Sequence, residues 1–190
     1  GRHLIDVIHE AQNVTVHALF GPEHGIRGDE DAGARIDDGL VASSSPSSIR
    51  RPTPDMLSGV DALVFDIQDV GVRFYTFIST MGLSMQSAAL ADIPFIVLDR
   101  PNPLGGERVE GFIRDSSLVS FVSQYPIPVR HGLTVGELAR MIKGEAWMDG
   151  LENLDLRVIE MSGWDRDMMW PDTGLEWIPT SPNIPTFKTA

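Results

Sequence analysis

The stretch Asp61-Ala-Leu-Val-Phe-Asp-Ile-Gln-Asp-Val-Gly-Val-Arg-Phe-Tyr75 decides how the rest of the chain is interpreted. It opens with a short apolar run, Ala62 to Phe65, of the length and composition typical of a buried parallel strand. The chain then turns abruptly polar, with carboxylates, an amide, a guanidinium and a phenol at Asp66, Gln68, Asp69, Arg73 and Tyr75. Because ligands bind beyond the carboxyl ends of strands in open α/β sheets, the stretch predicts a strand that ends in a ligand-binding rim. The alternative is purely structural: Asp66 caps a helix and Arg73 pairs with Asp69.

Helix and strand patterns alternate along the chain on both sides of this stretch. Apolar spacing and turn residues predict helices near 3–12, 52–57, 76–91 and 134–147, and further strands at 14–20, 94–98 and 156–161. Thr53 is the expected N-cap of the short helix, and Thr134-Val-Gly-Glu137 has the pattern of a capping box. The alternation predicts one α/β domain over residues 1–190, a Rossmann-like three-layer sandwich with a mostly parallel sheet and helices on both faces. Polar clusters that follow successive strands should then meet at one edge.

Composition excludes several classes of function. The chain has 190 residues and a formal net charge of −12, which disfavours nucleic acid and anionic membrane surfaces as partners. No apolar run approaches the roughly 20 residues that span a bilayer. Cysteine is absent, so disulfides, thiolate metal sites and cysteine nucleophiles are excluded.

Two further polar clusters are candidate sites. Gly21-Pro-Glu-His-Gly25 places Glu23 beside His24 in a glycine-flanked turn, where a carboxyl group can serve as a general acid; the alternative is an exposed Glu beside a His that caps a helix. The second cluster holds Asp99, Arg100 and Asn102, which can line a site or form a rigid turn with an internal ion pair. His131, just before a helix start, can contact a ligand or be structural.

Neither a nucleotide cofactor nor a metal is predicted. The glycines form no phosphate-binding pattern, and no serine lies in a nucleophile elbow. Glu23, His24, Asp66 and His131 offer oxygen and nitrogen donors, but their positions follow no fixed metal-ligand spacing.

Long motifs resemble those of a known family. They are Leu19-Phe-Gly-Pro-Glu-His-Gly-Ile-Arg-Gly28, Val64-Phe-Asp-Ile-Gln-Asp-Val-Gly-Val-Arg-Phe-Tyr-Thr76, Leu98-Asp-Arg-Pro-Asn-Pro-Leu-Gly-Gly106, Tyr125-Pro-Ile-Pro-Val-Arg-His-Gly-Leu-Thr-Val-Gly-Glu-Leu-Ala139 and Ser181-Pro-Asn-Ile-Pro-Thr186. In this order, and over nearly the whole chain, they resemble the NamZ-type exo-β-N-acetylmuramidases. One segment, Leu40 to Thr53, departs from the family pattern because it is rich in serine and has no tyrosine.

The resemblance implies a bacterial, secreted or periplasmic hydrolase that removes terminal N-acetylmuramic acid from the non-reducing ends of peptidoglycan fragments. It implies a Rossmann-like N-terminal domain and a smaller C-terminal domain with the active site between them. This chain resembles the N-terminal domain alone, without its first strand. By the family pattern Glu23 is the catalytic acid. The pocket walls are His24 and the segments that contain Gln68, Asp69, Arg73, Tyr75, Asp99, Arg100 and Asn102, with Asp66 and His131 as further substrate-binding candidates.

Chemical reasoning from the residues agrees with this activity. Glycoside hydrolysis needs a proton donor to the leaving oxygen and a group that stabilises the anomeric carbon. Glu23 can be the donor, and Asp66, Asp69, Asp99 or the substrate's own acetamido group can fill the second role. Arg73, Arg100 or Arg130 can bind the lactyl carboxylate of muramic acid. The alternative is a carbohydrate- or nucleotide-binding module without catalysis.

Overall fold

The computed structural model of the chain describes residues 4–21 and 50–189. Its helices and strands in chain order are α1 (Leu4–His9), β1 (Leu63–Phe65), α2 (Phe77–Leu90), β2 (Phe95–Leu98), α3 (Val135–Gly144) and β3 (Leu156–Ile159). Short 3-10 turns lie at Asp55–Leu57, Trp170–Thr173 and Phe187–Thr189. The three strands form one parallel sheet in the order β1-β2-β3. The predicted α/β class and parallel sheet are therefore confirmed.

One face of the sheet carries the main core. Leu63 pairs with Phe95 and Phe65 with Val97, so that these side chains point to the same side and pack under α2 and α3. Both helices lie on this face. Parallel strands are joined by right-handed crossovers, and because the strand order β1-β2-β3 runs in one direction, both crossover helices fall on the same side of the sheet. On the second face Val64 and Ile159 are 43% and 55% exposed, and no long helix among the described residues covers them. A helical layer on that face stays a prediction.

The local signal for the start of α3 holds. The Thr134 hydroxyl accepts from the Glu137 backbone N–H at 3.2 Å, while Glu137 Oε2 accepts from the Thr134 N–H at 3.0 Å, which completes the predicted capping box of α3. Thr53 was expected to be the N-cap of the next helix, but the short 3-10 turn has Pro54 at that position; Thr53 Oγ1 only accepts a long hydrogen bond of 3.4 Å from the Met56 N–H. No helix in the part of the chain that the structure describes is long and apolar enough to cross a membrane.

The predicted strand at Val14–Phe20 is wrong. This segment has no strand hydrogen bonding beyond a single bridge position at Leu19, and Val14 is 54% exposed. Extended residues become a strand only when a neighbour completes their backbone hydrogen bonds, and no described strand lies beside residues 14–18. Within this segment, Phe20 packs against the main core and is partly buried.

Candidate functional site

The loops that follow β1 and β2 meet at one edge of the sheet, as their positions in the sequence predict. Arg100, after β2, donates from Nε to Asp66 Oδ1, after β1, at 2.7 Å. Gln68 reaches the same neighbouring loop, where its Nε2 donates to the Pro101 carbonyl at 2.9 Å and also to the Asp69 carbonyl at 2.7 Å. The carboxyl ends of parallel strands therefore bring these polar groups together.

Asp69 and His131 form a buried pair at this edge. His131 Nε2 lies 3.5 Å from Asp69 Oδ2, and both side chains are almost fully enclosed. Asp69 Oδ2 accepts from the Gly71 N–H at 2.8 Å, in a turn where Gly71 has a φ of 83°. Because His131 Nδ1 accepts from the Leu133 N–H at 3.1 Å, a neutral His131 ring carries its proton on Nε2. The imidazole N–H thus lies on the side of the Asp69 carboxylate.

Three buried polar atoms of this edge have no hydrogen-bond partner among the described residues. They are Gln68 Oε1, Asp69 Oδ1 and His131 Nε2. An unpaired buried donor or acceptor costs about 1–3 kcal/mol, so folded proteins rarely leave such atoms together without a partner. His131 Nε2 faces Asp69 Oδ2 at the long distance of 3.5 Å, and the two free acceptors suit a ligand that donates hydroxyl or amide hydrogens. We refer to Gln68, Asp69 and His131 as the strand-end site.

Other predicted site residues are held by structural contacts. Arg73 Nη1 donates to the carbonyls of Phe112 at 2.7 Å and Ile127 at 2.5 Å, and so does not make the ion pair with Asp69 that the structural alternative proposed. Tyr75 is buried and its hydroxyl contacts Thr180, at 2.8 Å from Oγ1 and 3.0 Å from the carbonyl oxygen. These two side chains tie distant loops to the segment after β1.

Asn102 and Asp99 also form hydrogen bonds that join separate segments of the chain. Asn102 Nδ2 donates to the Leu133 carbonyl at 2.9 Å, and its Oδ1 accepts from the Leu104 N–H at 2.9 Å. Asp99 accepts from the Thr134 hydroxyl at 2.9 Å and from the Gly136 N–H at 2.8 Å, at the first turn of α3. A carboxylate is favourable at a helix N-terminus, so Asp99 joins β2 to α3.

Removing the Asp99 side chain should therefore lower stability. We expect Asp99→Ala to reduce the free energy of unfolding by about 2 kcal/mol, because it leaves the Thr134 hydroxyl and two backbone N–H groups without their acceptor. Urea unfolding followed by circular dichroism measures this. Asp155→Ala, which removes an exposed ion pair with Arg157, is the matched control and should leave the midpoint nearly unchanged. Equal midpoints for the two variants would contradict the structural role of Asp99.

Glu23 and His24 lie outside the described residues, as does most of the serine-rich segment, so their predicted roles stay predictions. Within residues 4–21 and 50–189, no three His, Asp or Glu side chains are arranged to hold a metal ion. A cavity of about 590 Å³ between α2 and residues 50–54 contains none of the strand-end site residues.

Arg166 was not singled out from the sequence, yet it lies close to the edge. Its Nη1 donates to the Gly132 carbonyl at 3.1 Å, next to His131, and its Nη2 pairs with Glu137. Arg166 belongs to the tail after β3, and no local pattern predicts that this tail folds back over the loop before α3.

Fold and site together define an α/β protein with a polar edge at the carboxyl ends of its parallel strands, where buried polar atoms lack partners among the described residues. A family model described as Exo-beta-N-acetylmuramidase NamZ, N-terminal, matches residues 1–188, and the chain belongs to this family. The resemblance noted in the sequence is thereby confirmed.

Known relatives agree with this assignment. The chain is 46% identical over 191 residues to the Bacillus subtilis (strain 168) protein named Peptidoglycan beta-N-acetylmuramidase NamZ, with 97% of this chain covered but only 45% of the relative. A crystal structure of a DUF1343 family protein from Bacteroides fragilis NCTC 9343 matches with a TM-score of 0.87 at 47% identity, over 99% of this chain and 48% of that one. The crystal structure of a second DUF1343 family protein from the same organism matches with a TM-score of 0.80 at 39% identity, over 98% of this chain and 49% of that one. The chain thus spans about half the length of these proteins.

Proposed function

We propose that this chain is the N-terminal part of a glycoside hydrolase that releases terminal N-acetylmuramic acid from the non-reducing ends of peptidoglycan fragments. The observation that carries the proposal is the strand-end site, with its three buried polar atoms unpaired among the described residues. Sugars satisfy such atoms with hydroxyl and acetamido groups. The name of the Bacillus subtilis relative narrows the ligand from sugars in general to peptidoglycan muramic acid.

In this proposal Glu23 donates the proton to the leaving glycosidic oxygen. A second group has to stabilise the positive charge that develops at the anomeric carbon. Of the candidate carboxylates, Asp66 is paired with Arg100 and Asp99 is bound to the start of α3. Asp69 keeps Oδ1 free of described partners, which favours Asp69 for stabilising this charge or for orienting the substrate's acetamido group.

The other half of the cleft comes, in this proposal, from a C-terminal domain like the additional half of the longer relatives. Support comes from an apolar segment beside the site. Glu110 forms a β-bridge with Arg130, the residue before His131, and residues 109–122 around it expose large apolar side chains, with Phe112 89% exposed. The others are Val109, Ile113, Leu118, Val119 and Val122. Exposed apolar side chains close together along the chain suit a surface that contacts another domain.

A chromogenic N-acetylmuramic acid β-glycoside tests the activity. A chain extended by its C-terminal half should release the chromophore, whereas residues 1–190 alone should show no turnover above the buffer rate because half of the cleft is absent. Binding of the glycoside without hydrolysis by the extended chain would favour the alternative of a non-catalytic carbohydrate-binding module. Measurable turnover by residues 1–190 would contradict the two-domain cleft.

A further inference from the structure

Arginine is the residue that suits recognition of a carboxylate, because its planar guanidinium donates two parallel hydrogen bonds. Two other arginines near the site hold loops together. Arg73 is bound to two backbone carbonyls. Arg130 Nη1 pairs with Glu110 Oε2 at 2.8 Å and its Nη2 donates to the Leu104 carbonyl. Arg73 uses Nη1 alone in these contacts and Arg130 uses both terminal nitrogens, so both side chains tie neighbouring loops together.

Arg100 differs because its guanidinium contacts no backbone carbonyl among the described residues, and only one of its edges is used by a side chain, that of Asp66. Nε and Nη2 both contact Asp66 Oδ1, at 2.7 and 2.5 Å, so that the carboxylate takes the side edge. The end edge, formed by Nη1 and the second N–H of Nη2, has no partner among the described residues. The side chain of Arg100 stays 37% exposed, which leaves this edge accessible to a ligand.

The position of Arg100 is fixed before any ligand arrives. Its backbone N–H donates to Asp99 Oδ1 at 3.0 Å, and its guanidinium is held by Asp66. Such preorganisation lowers the entropy that a ligand must remove on binding. Gln68 is bonded to the next residue, Pro101, and its free Oε1 belongs to the strand-end site. The same edge therefore offers a carboxylate-binding fork and acceptors for hydroxyl or amide groups.

The geometry points to Arg100 as the residue that selects the acidic sugar: its end edge binds the lactyl carboxylate of N-acetylmuramic acid, and Asp66 positions it. This inference rests on the proposed function and adds which side chain distinguishes muramic acid from N-acetylglucosamine. Arg73 and Arg130 serve to hold the surrounding loops.

Paired substrates test this assignment in the chain extended by its C-terminal half. The substrates are a chromogenic N-acetylmuramic acid glycoside and the same glycoside with its lactyl group converted to the carboxamide. We expect Arg100→Gln to lower kcat/KM by about 10–100-fold on the acid, and by less than about threefold on the amide, as loss of a charged hydrogen-bonded pair predicts. Arg100→Lys should keep part of the preference for the acid over the amide. Arg157 is exposed and forms an ion pair elsewhere, so Arg157→Ala should leave kcat/KM unchanged on both substrates. Equal losses on both substrates would overturn the assignment.

Calorimetry separates this inference from the hydrolase proposal. Free N-acetylmuramic acid should bind the wild-type protein more tightly than N-acetylglucosamine, and Arg100→Gln should abolish that difference, whether or not the protein turns over a glycoside. A wild-type protein that hydrolyses nothing but shows this preference would disprove the catalytic proposal and keep the role of Arg100. A wild-type protein that binds both sugars equally, or neither, would overturn the role of Arg100. Thermal unfolding of each variant checks that it is folded.

Discussion

Replacing Glu23 with Gln in the chain extended by its C-terminal half should lower kcat for an unactivated muramic acid glycoside by about 10²–10⁴-fold, the usual contribution of a positioned general acid. Glutamine keeps the size of glutamate but has no acidic proton to give to the leaving oxygen. The loss should shrink to a few-fold when the leaving group is a dinitrophenolate, which departs without protonation. A change in leaving-group dependence identifies an acid, whereas a binding residue would affect both substrates alike.

The pH profile gives an independent readout. The wild-type rate on the unactivated glycoside should fall at high pH as the acid loses its proton. The rate of the Glu23→Gln variant should not show this fall. Glu152→Gln, an exposed carboxyl after α3, is the matched control and should behave as the wild-type protein does. Full activity of Glu23→Gln on both leaving groups would show that the catalytic assignment is wrong even though the family is correct.

Gly82→Ala should produce the largest loss of stability, by about 2–3 kcal/mol, because the position in α2 has no room for a methyl group. A Cβ there would overlap the Tyr125 hydroxyl and lie 2.6 Å from Met148 Sδ. Tyr125 cannot easily retreat, since it is fully buried, its ring stacks on Trp147 with centroids 5.9 Å apart, and its hydroxyl donates to the Ile78 carbonyl at 3.2 Å. The same burial raises the pKa of the Tyr125 phenol, so it remains a neutral donor.

Helix propensity alone predicts that Gly82→Ala raises stability, since alanine is favoured over glycine by about 0.5–1 kcal/mol in a helix. Gly144→Ala isolates that effect, because a Cβ at the end of α3 meets no atom within 4 Å. We expect Gly144→Ala to raise the melting temperature slightly and Gly82→Ala to lower it. Adding Tyr125→Phe to Gly82→Ala removes the overlapping oxygen and should recover part of the loss. A melting temperature of Gly82→Ala at or above that of the wild-type protein would contradict this packing argument.

Helix starts and the site edge could be predicted from the residues because their causes are local. The Thr134–Glu137 capping box needs only residues three apart, and strand ends can be placed from an apolar run followed by charge. The convergence of Asp66, Gln68 and Arg100 followed from the rule for parallel sheets. The prediction of a strand at Val14–Phe20 was wrong because a strand requires a hydrogen-bonded neighbour, which no local pattern indicates.

Tertiary structure alone decided which polar side chains remain available to a ligand. Arg73 and Arg100 look equivalent in sequence, yet Arg73 ties together the carbonyls of residues 112 and 127, while Arg100 is held by the Asp66 carboxylate at one edge of its guanidinium. Tyr75 is likewise held by Thr180, far along the chain. The partners in these contacts are largely backbone carbonyls, which every residue carries, so nothing in the sequence marks them. Composition and spacing identified the chemical groups at the strand ends, and only the folded arrangement of distant loops determined which of them stay free.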